Sequence, residues 1–204
     1  MTHQGSTDGT ATWSIRRLHS LDDTHIDGLA DLLIDCVESG ASVSFMHPLT
    51  RGRALSFWRR VAQGVATGER ALLIAEDAGD GGVCGTVQLI LDQPENQPHR
   101  ADLAKMLVHR RARRQGLGAA LMRAAEATAR ECDKTLLVLD AVTDGDAARL
   151  YERLGWVRVG DIPGYALFPQ GGLCSTTYYY RNLDAGTERP HTPSRAPNAT
   201  IGPG

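Results

Sequence analysis

The chain has 204 residues and a mass of 22.0 kDa, a length that favours one domain with a buried core and room for a ligand cleft. Its 22 Lys and Arg residues nearly balance its 24 Asp and Glu residues, and the net charge of -2 argues against a general nucleic-acid-binding protein. No run reaches the roughly 18 apolar residues of a membrane span, and residues 1–12 lack the apolar core of a secretory signal, so we expect a cytoplasmic protein without a membrane partner.

The first half of the sequence predicts a strand, two helices and a hairpin. Apolar residues between Ile26 and Val37 recur at i, i+3, i+4 and i+7, the spacing of one helical face. A second helix should begin after Thr50, a typical N-cap residue, and end at Gly68. Two apolar runs are then joined by AGDGG, a turn composition typical of a β-hairpin. The strands of this half are expected at 13–18, 71–77 and 83–91.

The second half predicts four strands and two helices. A strand leads into the arginine- and glycine-rich segment HRRARRQGLG, and each of the two helices follows a strand. The strands are expected at 101–109, 135–140, 156–162 and 174–183, and the helices at 117–128 and 144–155. The order β-α-α-β-β-β-α-β-α-β-β predicts an α/β fold with a mixed, largely antiparallel sheet and helices on its faces.

Both ends of the chain have the composition of disordered tails. Residues 184–204 are rich in Pro, Gly and Thr and hold almost no large apolar side chain, so burial cannot offset the entropy lost on ordering. We therefore expect tails at 1–12 and 184–204 and a folded domain over 13–183.

The four cysteines have none of the spacing of a metal site. They lie 42 or 48 residues apart in unrelated segments, without a CxxC pair or a Cys/His cluster. We expect no bound metal, and free thiols in a reducing compartment.

The glycine-rich segment predicts a binding site for a pyrophosphate. A turn from a strand into a helix directs unpaired backbone N–H groups at one point, where the helix dipole adds about half a positive charge. Gly116 and Gly118 would let the backbone approach the ligand, and Arg113 and Arg114 can pair with phosphate oxygens. A solvated turn or a basic nucleic-acid patch is the alternative. A dinucleotide fingerprint fits poorly, because Leu121 stands where its third glycine would be.

These residues carry a resemblance to the GCN5-related N-acetyltransferases (GNAT). The segment MLVHRRARRQGLGAAL resembles motif A of that family: an Arg or Gln, two residues, Gly, one residue, then Gly or Ala. About 30 residues later, DGDAARLYERLGW is similar to the family's Asn-x-x-Ala-x-x-Leu-Tyr-x-x-x-Gly-Phe segment. Trp156 replaces the usual Phe, and Asp144 replaces the usual Asn at the contact with the pantetheine arm.

A resemblance to one branch of the family covers nearly all of the predicted domain. It implies the GNAT fold, a seven-stranded, mostly antiparallel sheet flanked by four helices, with a splayed pair of parallel strands. The branch is that of the tabtoxin-resistance enzymes, which acetylate a free amine on a small β-lactam dipeptide toxin or on its amino-acid warhead. The matching segments are ESGASVSFMHPL, ADLAKMLVHRRARRQGLGAALM, LLVLDAVTDGDAARLYERLGWVRVGDIPGYALFPQGG and TTYYYRNL.

The resemblance also implies how acetyl-CoA, the expected co-substrate, would bind. The pantetheine arm would pair with the backbone of the strand before the glycines, and the pyrophosphate would meet the backbone of the turn. The expected coenzyme contacts are Met106, Leu107, Val108, Arg113, Arg114, Gln115, Gly116, Leu117, Gly118, Ala119, Asp144, Ala147 and Tyr151.

Acetyl transfer requires a neutral amine, and a lysine-type amine has a pKa near 10.4, so a base must remove a proton. Asp102 opens one of the two expected parallel strands and Asp140 ends the other, so either can bind the substrate ammonium or accept its proton. The resemblance assigns the backbone N–H of Val108 to the oxyanion and Tyr151 to protonation of the CoA thiolate. The alternatives are turn or cap aspartates and a tyrosine packed on its helix.

Two segments are candidates for acceptor binding. In the connection between the first two helices, Ser42 and Ser44 could bind a carboxylate or amide, and Phe45 could form an apolar wall. The segment 162–172 is expected as a loop that folds over the same cleft and offers Tyr165. Solvated connections are the alternative for both.

The sequence therefore favours direct acetyl transfer to a small-molecule amine, in resistance or self-protection. An enzyme that acts on protein amines and a catalytically silent acetyl-CoA-binding module are the alternatives. We expect no nucleic-acid partner, and either a monomer or a homodimer.

Overall fold

All seven predicted strands and four predicted helices occur in the computed structural model, which describes residues 12–184. The predicted tails lie outside the described residues, apart from Thr12 and Asp184. The elements, in chain order, are β1 (Trp13–Leu18), α1 (Asp23–Glu38), α2 (Arg51–Ala66), β2 (Arg70–Asp77), β3 (Val83–Ile90), β4 (Arg100–Val108), α3 (Leu117–Glu131), β5 (Leu136–Val142), α4 (Asp146–Arg153), β6 (Val157–Leu167) and β7 (Leu173–Asn182), with a short 3₁₀ turn at Arg110–Ala112.

Side-chain caps fix where the first two helices begin. The carboxylate of Asp22 accepts a hydrogen bond from the backbone N–H of His25 at 2.8 Å, and the His25 ring accepts one from the N–H of Asp22. The hydroxyl of Thr50 accepts a hydrogen bond from the N–H of Arg53 at 3.4 Å, as the sequence predicts.

The strands form one sheet in the order β1-β2-β3-β4-β5-β7-β6, and every neighbouring pair is antiparallel except β4 and β5. The parallel pair is short: its register runs from Arg100 opposite Leu136 to Asp102 opposite Val138 and then stops. Past this point the two strands separate, which confirms the splayed parallel pair.

Helices cover the two faces of the sheet with separate apolar clusters. On one face α1 and α2 bury Leu29, Leu33 and Trp58 against β2 and the end of β4. On the other face α3 buries Leu121 and Met122 against the centre of the sheet. The two layers hold β4 and β5 in place while leaving the gap between their ends open.

The last hairpin differs from the prediction. Segment 162–172 is not a loop throughout, because β6 continues past the predicted end at Ile162 and pairs with β7 as far as Leu167. Only residues 168–172 form the turn. Helix α4 is also shorter than predicted, because Gly145 is its N-cap.

Candidate active site

The glycine-rich turn leaves backbone donors unpaired at the start of α3. Gly116 is the N-cap with φ of 82°, and no side chain caps the helix. The N–H of Ala120 makes the first bond of the helix, to the carbonyl of Gly116 at 3.1 Å. The preceding N–H groups of Leu117, Gly118 and Ala119 therefore have no acceptor within the helix and are available to an anion.

The arginines around this turn have different partners. Arg110 and Arg111 are paired with the carboxylates of Asp35 and Asp80. Arg113 donates from Nε to the carbonyl of Val108 at 3.1 Å and from Nη2 to the hydroxyl of Ser39, so its side chain links the turn to the end of β4. The Arg114 side chain is 87% exposed, and its nearest carboxylate oxygen lies at 3.4 Å on Asp146. The guanidinium of Arg114 is therefore accessible to an anion near the helix start.

The end of β4 turns backbone groups toward the gap. The N–H of His109 donates to the carbonyl of Cys84 on β3 at 2.9 Å. Because an antiparallel ladder alternates, the N–H and C=O of Val108 then face away from β3, on the side where β5 has separated. At Gly118 a Cβ would lie 3.1 Å from Cδ2 of Leu150 and 3.9 Å from the Val108 side chain, so the start of α3, β4 and α4 pack closely there.

Tyr151 lies on α4 and is 4% exposed. Its ring packs 6.0 Å from Trp156 and 5.9 Å from Tyr179, measured between ring centroids. Burial raises the pKa of Tyr151, and the nearby charge of Asp140 acts in the same direction. The hydroxyl therefore stays protonated through neutral pH, as a proton donor requires.

The two candidate acids have different surroundings. Asp102 is held by Arg100, with 2.7 Å between Nη1 and Oδ1, and accepts a hydrogen bond from Gln93 at 3.2 Å. Asp140 is exposed, and its side chain accepts a hydrogen bond from the hydroxyl of Thr176 at 3.1 Å. A cation already neutralises Asp102, whereas Asp140 keeps its charge available to a ligand.

A pocket of about 310 Å³ lies between the α1–α2 connection and the β6–β7 hairpin. The hydroxyl of Ser42 donates to the Leu167 carbonyl at 3.1 Å, and the N–H of His47 donates to the Pro169 carbonyl at 2.9 Å, so the two segments are joined to each other. The pocket brings together five of the six predicted acceptor-site residues: Ser42, Ser44, Phe45, Asp140 and Tyr165. Asp102 is the sixth and does not line it.

Sequence reasoning missed two side chains at this pocket. The hydroxyl of Tyr178 on β7 lies 3.0 Å from that of Tyr165, and this hydrogen bond raises the pKa of Tyr178 to about 12. Lys105 on β4 reaches the hydroxyl of Ser44 at 3.2 Å. The alternation of β7 could have found Tyr178, because it stands opposite Asp140. The alternation of β4 does not predict the position of Lys105, because a bulge in the strand sets the direction of its side chain.

Two of the cysteines, Cys36 and Cys84, are not activated as nucleophiles. Burial raises the pKa of the Cys36 and Cys84 thiols to about 11, so at neutral pH both are protonated. All four cysteines are free. In the part of the chain described, no group of three or more His, Cys, Asp or Glu side chains could hold a metal, and no helix has the length and hydropathy of a membrane span.

Known proteins share this architecture. Residues 68–158 match the sequence model of the acetyltransferase (GNAT) domain. The yncA acetyltransferase of Salmonella typhimurium, solved with its cofactor acetyl-CoA, superposes with a TM-score of 0.69 at 18% identity, covering 89% of this chain and 99% of that one. A structure described as a phosphinothricin N-acetyltransferase superposes with a TM-score of 0.68 at 17% identity, covering 84% of this chain and 98% of that one. The ribosomal-protein-alanine N-acetyltransferase of Brucella melitensis superposes with a TM-score of 0.67 at 19% identity, covering 82% of this chain and 98% of that one.

The matched segment 68–158 spans β2 to the start of β6 and includes the glycine-rich turn, the gap and Tyr151. At these identities the solved structures share the fold. Residues 68–158 are thus similar to an acetyltransferase (GNAT) domain, and the described chain has the fold of acetyltransferases, one of which is solved with acetyl-CoA.

Proposed function

We propose that this protein transfers the acetyl group of acetyl-CoA directly to a primary amine of a small molecule, such as an amino acid or a β-lactam dipeptide toxin. The observation that carries the proposal is the pocket of about 310 Å³ at the end of β5, with the exposed carboxylate of Asp140 in its wall. This volume suits a compound the size of one or two amino acids.

The coenzyme would enter from the other end of the gap. The proposed contacts are the open backbone of β4 for the pantetheine arm and the unpaired N–H groups at the start of α3 for the pyrophosphate. This arrangement would bring the thioester to Val108 and the acetyl group toward the pocket.

The reaction then follows from the groups around the gap. Asp140 binds the acceptor ammonium and takes one proton, directly or through water, and the amine nitrogen attacks the thioester carbon. The N–H of Val108 stabilises the resulting oxyanion. When the C–S bond breaks, the CoA thiolate takes a proton from Tyr151, and the second proton of the attacking nitrogen passes through water to the resulting phenolate. Asp140 then releases its proton to solvent, which leaves an amide, free CoA and the starting form of the enzyme. The proposed transfer is direct, without an acetyl-enzyme, since the amine itself attacks the thioester.

Asp140 is a better candidate for the base than Asp102. Asp102 is neutralised by Arg100 and is not part of the pocket wall, so we propose that it helps to keep the start of β4 in register. The charge of Asp140 favours the protonated forms of both Tyr151 and Lys105, which supports a carboxylate close to the proposed acid and to the acceptor pocket.

The joined walls of the pocket support a small acceptor over a protein. The contacts of Ser42 and His47 with the β6–β7 hairpin join the two walls, whereas a peptide would need an open groove. A role in resistance or self-protection is supported by the resemblance to the tabtoxin-resistance branch and by a fold neighbour described as a phosphinothricin N-acetyltransferase. The free cysteines fit a cytoplasmic location, and a monomer and a homodimer are both compatible with the proposal.

The test is a measurement of thiol release from acetyl-CoA over a panel of amino acids, β-lactam dipeptides, aminoglycosides and peptide amines. Turnover should appear with one or more small amines. Asp140→Asn should lower kcat/KM about 100-fold, because the base and the ammonium partner are lost together, and Asp102→Asn should lower it less than tenfold.

Calorimetry with acetyl-CoA provides the control for folding, because both variants should bind the coenzyme like the wild type. Binding without turnover for every amine would support the silent module instead. Preferential turnover of peptide amines would support the protein-amine alternative. If Asp102→Asn lowers kcat/KM more than Asp140→Asn does, Asp102 is the base and Asp140 is not.

A further inference from the structure

A bulge in β4 sends one basic side chain toward the acceptor pocket. The register with β3 runs from Val108 opposite Gly85 to Leu107 opposite Thr86, and then shifts so that Gln88 lies opposite Ala104. The extra residues include Lys105, whose φ is 51°. This left-handed conformation is uncommon for a residue with a Cβ, and it breaks the inward and outward alternation of the strand.

The Lys105 ammonium is placed beside the pocket wall. It donates to the hydroxyl of Ser44, and it lies 5.8 Å from the ring centroid of Phe57, a cation–π distance. Ser44 itself lines the pocket and has φ of 72°, so two strained residues meet at this contact.

This ammonium lacks a carboxylate partner. None of the ion pairs among residues 12–184 includes Lys105. Desolvation lowers the pKa of Lys105, an effect that the charge of Asp140 opposes and that of Arg70 reinforces. A desolvated cation without an ion-pair partner gains from the arrival of an anion.

Two opposite charges are thus associated with the pocket: the carboxylate of Asp140 in its wall, and the ammonium of Lys105 beside Ser44, which lines it. We infer that Lys105, with Ser44, binds a carboxylate of the acceptor and so selects amines that carry a carboxylate near the reacting nitrogen. This inference rests on the proposed function, because it assigns Asp140 to the acceptor ammonium. The acceptor class is then a free amino acid or a short peptide with a free carboxylate rather than an aminoglycoside.

Matched pairs of acceptors test the inference. Lysine, methionine, histidine and threonine would each be supplied as the free amino acid and as its α-carboxamide, which keeps the amine and removes the negative charge. We expect kcat/KM to favour the free acid roughly tenfold in the wild type, since a charge-assisted hydrogen bond replaces a neutral one. Lys105→Met should reduce this ratio to about one, and Lys105→Arg should largely restore it.

The sequence offers a matched control. Of the 22 Lys and Arg residues only two are lysines, and the second, Lys134, donates to the carbonyls of Leu91 and Pro98 away from the pocket. Lys134→Met removes the same charge from the chain and should leave the acid-to-amide ratio unchanged. Acetyl-CoA binding by calorimetry checks that each variant is folded.

Each result decides the matter. Equal rates for acids and amides in the wild type, or preferential turnover of aminoglycosides, would overturn the inference and leave the proposed function standing. A ratio that survives in Lys105→Met would also overturn it. No turnover with any amine, despite coenzyme binding, would remove the proposed function together with the inference.

Discussion

At the scale of single residues, Tyr151 has the clearest testable role. Its hydroxyl stays protonated above the ordinary tyrosine pKa of 10.0, because burial and the charge of Asp140 both disfavour the phenolate. We expect Tyr151→Phe to lower turnover about 100-fold while acetyl-CoA affinity stays nearly constant, since the change removes a proton donor but keeps the ring. Because the pKa is raised, ionisation of Tyr151 should cause no loss of wild-type activity below pH 10, which a pH–rate profile would check.

Tyr179 provides the control in the same aromatic cluster. Its hydroxyl donates to Glu152 at 3.0 Å, and the residue is 1% exposed. Tyr179→Phe should cost about 1 kcal/mol of unfolding free energy through the lost hydrogen bond, with turnover within a few-fold of the wild type. Full activity in Tyr151→Phe, or an equal loss in both variants, would rule out the proposed proton transfer.

At the scale of elements, the turn before α3 allows the effect of backbone strain on coenzyme affinity to be measured separately from the effect of anion binding. Gly116 and Gly68 have the same φ of 82°, and neither has an atom within 4 Å of an added Cβ. Gly116→Asp places a carboxylate at the proposed pyrophosphate-binding site, so we expect acetyl-CoA affinity to fall at least tenfold. Gly68→Asp, at the end of α2, imposes similar strain and should leave the affinity unchanged. Calorimetric titration measures the acetyl-CoA affinity of both variants, and equal losses of affinity would show that the turn does not bind the pyrophosphate.

The sequence predicts the elements well where a local pattern decides them. The apolar period identifies α1, and Thr50 marks the start of α2 because its hydroxyl has a local partner. The prediction from the sequence is wrong at β6, where Pro163 and Gly164 indicate a break although the strand continues to Leu167. β6 is the edge of the sheet, where the missing N–H of a proline costs no ladder bond, and a shift in register between Ile162 and Ala166 absorbs the irregular backbone.

The same reasoning separates the predictable part of the site from the rest. The turn at Gly116 follows from local chain geometry, and the sequence predicts it. The bulge at Lys105 depends on pairing with β3, and the side chain of Arg113 depends on the carbonyl of Val108 and on α1. Long-range contacts of this kind leave no periodic signal in a single sequence.

At the scale of the whole molecule, coenzyme binding should stabilise the fold. The proposed coenzyme contacts span the end of β4, the turn and α4, so bound acetyl-CoA would connect elements that the gap between β4 and β5 leaves apart. At 100 times its Kd a ligand adds about 2.7 kcal/mol to the stability of the native state, which for a chain of this size raises Tm by roughly 5–11 °C.

Three ligands separate the contributions to this shift. Acetyl-CoA and CoA, at equal concentration, should raise Tm by similar amounts, because both carry the pyrophosphate. S-acetylpantetheine keeps the thioester and the arm but lacks the diphosphate, so its shift should be a small fraction of theirs. Differential scanning fluorimetry at fixed ionic strength measures all three, and added salt should reduce the CoA shift as it screens the charges. A shift from S-acetylpantetheine equal to that from acetyl-CoA would mean that the amides at the start of α3 do not bind the diphosphate.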